Sequence, residues 1–308
     1  MMRARGLSMV AFAAAIGLSG EAGAQTFGYT GSIGSWTVAT SGTYLLTAIG
    51  AQGGYGPADG SGNQGGRGAK MSGLFNFTAG DVFSYAVGQA GSAYAGNYNG
   101  GGGGGTFFVS ASNNPLLVAG GGGGVRSYGT GDGADASITP YASLSSCTLA
   151  SKATGVKSTD LGLGGKADCD SWGSAGAGFY SNGAVDRYPS AAMSWANGLA
   201  GGNGVWPGSS YCDSYGGFGG GGSGTGCGGG GGGGGYSGGD GGFYAGGGGS
   251  WNTGTAQDNV EGIGYGNGSL DIKLEAVSTP EPASMTLVLT GLGFVAGMAR
   301  RRARKQAA

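Results

Sequence analysis

Long uninterrupted glycine runs constrain the fold of this chain more than any other feature. Glycine supplies 81 of the 308 residues. A residue without a side chain cannot bury apolar surface or carry charge, and it loses much conformational entropy when it becomes ordered. The longest runs cover residues 100–105, 120–124, 219–222, 228–235 and 246–249.

The glycine runs have two interpretations, and both are kept here. Glycine-rich segments often behave as flexible linkers. Polyglycine also forms an extended left-handed helix with about three residues per turn and no internal hydrogen bonds. Several such helices side by side would satisfy each other's N–H and C=O groups, since glycine lets backbones approach closely. We favour this ordered packing because large side chains and cysteines punctuate the runs. The large side chains are Trp206, Tyr211, Phe218, Tyr236, Phe243, Tyr244 and Trp251.

Short β-strands are predicted between the glycine runs. Side chains alternate with period two in a strand, and three segments place apolar residues on one face. These sets are Met71, Phe75 and Phe77; Phe83, Tyr85 and Val87; and Leu270, Ile272 and Leu274. Other strand-like segments cover 35–40, 42–51, 106–110 and 115–120. A hairpin turn is predicted at 79–81, and no helical periodicity is found between the two ends of the chain.

The pattern predicts a mainly β fold of a particular kind. We expect a jelly-roll-like antiparallel β-sandwich in which the last strand returns to complete a sheet. Polyglycine-type extended helices should be interleaved with the strands. This glycine-rich β domain is assigned to residues 25–277.

Both ends of the chain carry export features. Two arginines, the apolar run "GLSMVAFAAAIGL" and Ala22-Gly23-Ala24 precede Gln25, as in a signal peptide spanning 1–24. At the other end Pro280-Glu281-Pro282 precedes an apolar stretch, 283–299, long enough for a short transmembrane helix. The basic residues that follow should stay in the cytoplasm. They include Arg300, Arg301, Arg302 and Arg304.

Composition excludes several kinds of site. The chain has no histidine, which rules out Ser-His-Asp triads, Cys-His dyads and histidine-based zinc sites. Residues 25–278 hold 8 basic and 14 acidic residues, a net charge of −6. This charge disfavours nucleic acid as a partner. Matches to G-x-G-x-x-G carry no information at this glycine density. We therefore expect no cofactor and no catalytic residues.

The cysteines predict two disulfides. Cys147, Cys169, Cys212 and Cys227 all lie in the exported part, and an even number suits an oxidising compartment. Three pairings are possible. We favour Cys147–Cys169 with Cys212–Cys227, since each closes a short loop, worth about 3 kcal/mol by chain entropy. A four-thiolate metal site would need C-x-x-C pairs, which the sequence lacks.

The remaining candidate side chains each have an ordinary structural explanation. Asp168, Asp170 and Asp213 stand beside cysteines and could serve acid/base chemistry on a polysaccharide, but solvated loop aspartates explain them better. Asp132 and Asp135, in "GTGDGADAS", supply too few ligands for calcium. Arg67 is a single arginine, too few for an RGG-type nucleic-acid segment. We expect most of eight aromatic residues to be buried. They are Tyr94, Tyr98, Trp172, Tyr180, Trp195, Trp206, Tyr211 and Trp251.

Four blocks of the sequence resemble one known extracellular domain. They are "FGYTGSIGSWTVATSGTYLLTAIGAQGG", "GGRGAKMSGLFNFTAGDVFSYAVGQAG", "GGGGGGTFF" and "PLLVAGGGGG". In order and content they resemble the glycine-rich domain of anaplastic lymphoma kinase and leukocyte tyrosine kinase receptors. The resemblance covers about 26–275, is largely compositional after about 125, and implies a β-sandwich interleaved with polyglycine helices. It carries over neither kinase activity nor cytokine recognition.

The tail resembles the bacterial PEP-CTERM sorting signals. The Pro-Glu-Pro triplet, apolar helix and arginines stand in the order and spacing of that family. The resemblance implies processing by a membrane-embedded exosortase and release to the cell surface or the exopolysaccharide matrix. A permanent C-terminal anchor has the same physical features and stays open.

These observations predict a non-enzymatic envelope protein. It would cross the inner membrane, be anchored there transiently, and then bind polysaccharide or other surface proteins in the matrix of a biofilm. Two alternatives remain open. One is a disordered Gly/Tyr-rich structural matrix polymer, and the other is a secreted carbohydrate-active enzyme.

Overall fold

The computed structural model describes most of the central part of the chain. The described residues are 23–55, 63–92, 99–126, 132–146, 161–167, 172–186, 190–205, 214–225 and 228–277. The predicted signal peptide as far as residue 22 and the predicted sorting tail from residue 278 lie outside them.

Within the described residues, ten strands form two antiparallel sheets. They are β1 (Gln25–Phe27), β2 (Gly34–Thr37), β3 (Gly42–Ile49), β4 (Gly68–Phe77), β5 (Val82–Ala86), β6 (Thr106–Ser110), β7 (Pro115–Ala119), β8 (Trp251–Asn252), β9 (Val260–Gly264) and β10 (Ser269–Val277). The strand order is β1-β10-β3-β4-β9 in the first sheet and β2-β5-β6-β7-β8 in the second. The one helix in the described residues is a short 3₁₀ turn, Trp195–Asn197. The predicted mainly β, antiparallel fold is confirmed.

The last strand completes a sheet, as the sequence predicts. β10 lies between β1 and β3 and pairs antiparallel with both. Leu270 and Ile272 are buried, and Leu274 packs against the same core. Lys273 and Glu275 alternate with them and point outwards.

The first hydrophobic core lies between the two sheets and is mainly aromatic. Trp36 of β2 is at its centre, with ring centroids of four neighbours 5.5–6.1 Å away. Those neighbours are Tyr44, Phe77, Phe83 and Phe108, which come from both sheets. Offset and edge-to-face arrangements of this kind stabilise beyond the area that the rings bury.

The predicted hairpin at 79–81 is wrong, although a turn forms there. The N–H of Asp81 donates to the carbonyl of Thr78 at 3.0 Å, and Gly80 has a φ of 94°. The flanking strands β4 and β5 lie in different sheets, so the turn crosses the sandwich. The reason is that both strands have one apolar face. Facing each other across the core, they bring Phe77 and Phe83 to 4.4 Å between centroids.

The glycine runs are buried, and their hydrogen bonds recur every third residue. In the run 100–105, successive N–H groups donate in rotation to three different segments, 122–125, 89–92 and 219–222. The donor–acceptor distances are 2.8–3.0 Å. The six bonds are Gly100 to Val125, Gly101 to Ser92, Gly102 to Gly222, Gly103 to Gly122, Gly104 to Gln89, and Gly105 to Gly219. In the run 231–235, successive N–H groups donate in the same three-residue order to carbonyls near residues 100, 174 and 246.

Neighbouring segments lie too close for any side chain. A Cβ added to Gly102 would meet the carbonyl oxygen of Gly232 at 1.9 Å, and one added to Gly122 would meet that of Gly66 at 1.9 Å. Real Cβ atoms are not found at such distances. The glycines are therefore required by backbone contact.

A second hydrophobic core joins the glycine segments to the outer face of the second sheet. Phe107, Val109 and Val118 of β6 and β7 face outwards. They are covered by residues of the glycine-rich part, namely Phe179, Trp195, Leu199, Phe218 and Tyr236. The rings of Phe179 and Trp195 stack with centroids 5.8 Å apart. The aromatic residues thus anchor the glycine segments to the sandwich.

The close backbone contacts predict a large difference between two glycines. Gly102→Ala should lower the free energy of unfolding by roughly 1–3 kcal/mol or more, because the new methyl group overlaps a backbone carbonyl. Gly28→Ala is the control, since nothing lies within 4 Å of its added Cβ, and it should change stability by less than about 0.5 kcal/mol. Urea unfolding followed by tryptophan fluorescence measures both. Equal effects would show that the contacts are not tight.

The second core also predicts how stability changes in alkali. Burial, and next the neighbouring Tyr180, raise the pKa of the Tyr236 phenol above its ordinary value. The stability due to this group is present below about pH 10, the ordinary value, and is lost as pH rises through the folded pKa. Urea midpoints between about pH 9 and 11 should therefore fall less steeply in Tyr236→Phe. Tyr55→Phe, which removes an exposed phenol, is the control for loss of a hydroxyl. An unchanged slope in Tyr236→Phe would contradict this assignment.

Candidate functional site

An open cleft lies where the glycine segments meet the start of β4. Its volume is about 320 Å³, near the lower end for sites that bind small molecules. The side chains that line it come from four parts of the chain. They are Gln64, Arg67, Asp132, Asp135, Leu144 and Tyr244.

Two carboxylates hold the segment 64–67 in place. Asp132 Oδ1 accepts the backbone N–H of Gln64 at 2.8 Å, and Asp135 Oδ1 accepts that of Arg67 at 2.6 Å. The two donors are three residues apart in sequence, and so are the two acceptors. This spacing matches the three-residue period of the hydrogen bonds between glycine segments. Both aspartates remain exposed. They therefore accept backbone hydrogen bonds from this segment and also present negative charge to the cleft.

Arg67 is held at the rim by an aromatic ring. Its guanidinium lies 4.6 Å from the centroid of Tyr265 and donates to the carbonyl of Gly262 at 3.4 Å. Tyr265 is 62% exposed. A cation over a ring face is attracted electrostatically, so the pair presents a charged group and a flat ring side by side.

Arg126 is a second cation that packs on an aromatic ring. The Arg126 guanidinium is 4.8 Å from the centroid of Phe243. Burial lowers the pKa of Arg126, and Tyr244 opposes part of that shift.

The cleft offers hydrogen bonds of both kinds. Carboxylates accept strongly, guanidinium and amide groups donate, and a tyrosine ring supplies a flat apolar surface. A ligand rich in hydroxyl groups matches this set. Among the residues that the structure describes, no group of three or more Asp, Glu, Cys or His side chains could hold a metal ion.

The cleft and the described chain ends lie at opposite ends of the sandwich. Gly68 of β4 follows the cleft segment and pairs with Gly264, whereas Val277 of β10 pairs with Gly42 at the far end. The chain before β1 runs toward the Val277 end, because β1 is antiparallel to β10. At about 3.3 Å per residue, β10 separates the two ends by roughly 26 Å.

Most residues singled out from the sequence lie outside the described part. This holds for the four cysteines, for Asp168, Asp170 and Asp213, and for the whole predicted sorting motif. It also holds for Tyr94, Tyr98, Trp206 and Tyr211. Among the other aromatic residues, Trp195 is buried, Trp172 and Trp251 are half-buried, and Tyr180 is 56% exposed.

Sequence reasoning found part of the cleft and missed its assembly. The sequence shows Asp132 and Asp135 as a pair and Arg67 as a lone charge. No local pattern indicates that Arg67 contacts Asp135, which lies 68 residues away in sequence. Gln64, Leu144 and Tyr244 were missed as lining residues. One feature of the sequence could have indicated the contact. The two aspartates are three residues apart, and so are Gln64 and Arg67.

No protein-family profile matches the chain, and no curated protein matches it significantly. Within the described ranges, no helix is long and apolar enough to cross a membrane.

Proposed function

We propose that the protein is an exported, non-enzymatic cell-surface or matrix protein that binds polysaccharide in this cleft. The observation that carries the proposal is the cleft of carboxylates, amide, guanidinium and tyrosine at the end of the sandwich remote from the ends of the described chain, near Gln25 and Val277. A protein attached through its tail would present such a cleft away from the attachment point. Other envelope proteins are the second class of partner, favoured by the exposed Leu161, Leu163 and Tyr180.

We also propose that the glycine segments are polyglycine-type helices within a jelly-roll-like sandwich. Hydrogen bonds that rotate among three neighbours every three residues support this assignment. The crossing of the chain between sheets at β4–β5 and the return of β10 support the jelly-roll description. The hydrogen bonds that hold 64–67 to Asp132 and Asp135 would form the cleft before the ligand binds, which would limit the entropic cost of binding.

The contacts on each side of the cysteines support the sequential disulfides. Asp240 accepts the N–H of Lys166 at 2.7 Å and the hydroxyl of Ser145 at 3.3 Å, which relates the chain near Cys169 to that near Cys147. The N–H of Ser214 donates to Gly224 at 3.0 Å, which relates the chain near Cys212 to that near Cys227.

Peptide mapping without reduction tests this pairing. It should recover Cys147 joined to Cys169 and Cys212 joined to Cys227. Thr225 also donates to the carbonyl of Trp172 at 2.8 Å, so the main competitor is a Cys169–Cys227 link. Finding that peptide would overturn the assignment.

Processing of the tail is tested by cell fractionation. The protein should reach the surface or the medium with a mass that lacks the apolar stretch 283–299. Replacing the four arginines at 300–304 by glutamine removes the charges that fix the helix orientation, and the uncleaved form should then accumulate. An intact tail in the inner membrane of the unmodified strain would instead indicate a permanent anchor.

Affinity for the producing cell's own exopolysaccharide tests the cleft. Asp135→Asn removes charge but keeps an acceptor for the Arg67 N–H, and Gln64→Ala removes an exposed amide. Asp135→Asn should weaken binding by about tenfold or more, since a hydrogen bond to a charged group contributes roughly 1.5–3 kcal/mol. Gln64→Ala should weaken it by a few-fold, since a neutral hydrogen bond contributes about 0.5–1.5 kcal/mol. Lys273→Gln, on the outer face of β10, is the control.

Two results would count against the cleft as the binding site, and a third would count against a non-enzymatic role. Equal affinity in all variants would exclude it, and loss of folding in the cleft variants would indicate a purely structural role. Release of new reducing ends from the polymer would instead favour a carbohydrate-active enzyme.

A further inference from the structure

The first residue of β1 joins the two sheets through its side chain. Gln25 pairs with Ile272 at the edge of the first sheet. Its amide oxygen Oε1 accepts a hydrogen bond from the indole Nε1 of Trp36 at 2.8 Å. Trp36 belongs to β2, the edge strand of the second sheet, and is only 8% exposed. The side-chain amide carbonyl of Gln25 is therefore oriented by the indole N–H of Trp36, which is fixed in the core.

Gln25 is also the residue that signal-peptide cleavage would expose. The Ala22-Gly23-Ala24 sequence predicts a cut before Gln25, and Gly23 and Ala24 are exposed. The cut leaves β1 intact. It also places an α-amine and a side-chain amide in the same residue.

We propose that Gln25 becomes pyroglutamate in the exported protein. This inference rests on the proposed export. The neutral α-amine attacks Cδ of its own side chain, and a new N–Cδ bond closes a five-membered lactam. The Cδ–Nε2 bond breaks, and Nε2 leaves as ammonia after taking a proton from the attacking amine. No oxidant, reductant or second substrate is consumed.

The position of Trp36 favours this reaction in two ways. Its N–H polarises the amide carbonyl, and negative charge builds on Oε1 when the tetrahedral intermediate forms. A fixed donor stabilises such an oxyanion more than mobile water does. Oε1 then becomes the lactam oxygen, so the product keeps the acceptor that joins the sheets. The lactam nitrogen keeps one hydrogen for the β1 edge.

Cyclisation would protect the edge strand outside the cell. Aminopeptidases require a free α-amine, which the lactam lacks. Trimming would remove Gln25 first and then Thr26, whose hydroxyl donates to Asp271 at 2.6 Å. β1 has only three residues, so the loss of two would expose that edge of β10 to pairing with other chains.

Mass spectrometry of the N-terminal peptide from surface-released protein tests the proposal. The peptide should begin at residue 25, weigh one ammonia less than its sequence, and resist stepwise sequencing from the amino end. Gln25→Glu is the control, because glutamate keeps an oxygen acceptor but must expel water, a poorer reaction. That variant should have a free amino terminus.

The possible results separate this proposal from the proposed function. A free Gln25 amino terminus would overturn cyclisation and leave export standing. A leader still attached, or a start at another residue, would overturn both cyclisation and the predicted cut. Neither result bears on polysaccharide affinity, which is measured independently.

The contribution of Trp36 is measured by rate. A site-specific protease can expose Gln25 in a purified precursor, and ammonia loss is then followed by mass in the native protein and in urea. The native protein should cyclise several-fold faster. Trp36→Phe keeps an aromatic ring without the N–H donor and should lose that advantage. Equal rates in the native protein and in urea would overturn the role of Trp36. This comparison uses the unmodified sequence, so it holds even if Trp36→Phe fails to fold.

Discussion

The structure depends on backbone-to-backbone hydrogen bonding between glycine segments at distances that exclude a Cβ atom. In an ordinary domain, side chains separate neighbouring segments and supply the apolar core. Here the central segments touch through N–H and C=O groups, and every third residue donates to the same neighbour. Ordering glycine costs more conformational entropy than ordering any other residue. The hydrogen bonds alone contribute only about 1 kcal/mol each, so the glycine segments need support from elsewhere.

That support comes from the sandwich and its aromatic residues. The strands end directly in glycine segments, so the sheets fix where each segment begins. Phe107 and Val118 extend the core through the second sheet, and the rings of Phe179, Trp195 and Tyr236 cover them. The cleft follows from the same arrangement. In the segment 64–67, a backbone carbonyl accepts the N–H of Gly66, whereas the carboxylates of Asp132 and Asp135 accept those of Gln64 and Arg67.

The sequence predicts the strands well because most of them bury one face. Period-two alternation predicts β4, β5 and β10, strand-like composition predicts β6 and β7, and the return of β10 is expected. β8 and β9 were missed for physical reasons. β8 has two residues, and β9 contains Gly262 at a φ of 64° and shows no regular alternation of burial. The turn at 79–81 was read as a hairpin because local sequence does not reveal which sheet the next strand joins.

The cleft could be predicted only in part because its residues are distant in sequence. Arg67 and Asp135 meet because the period-three packing brings their segments together, and glycine runs carry no side-chain pattern that would give the register. Hydrogen exchange at the amides of 100–105 tests the central claim most directly. The account predicts exchange as slow as in β6, and much slower than in the exposed segment 30–32. Exchange in the glycine run at the rate of an unfolded chain would contradict it.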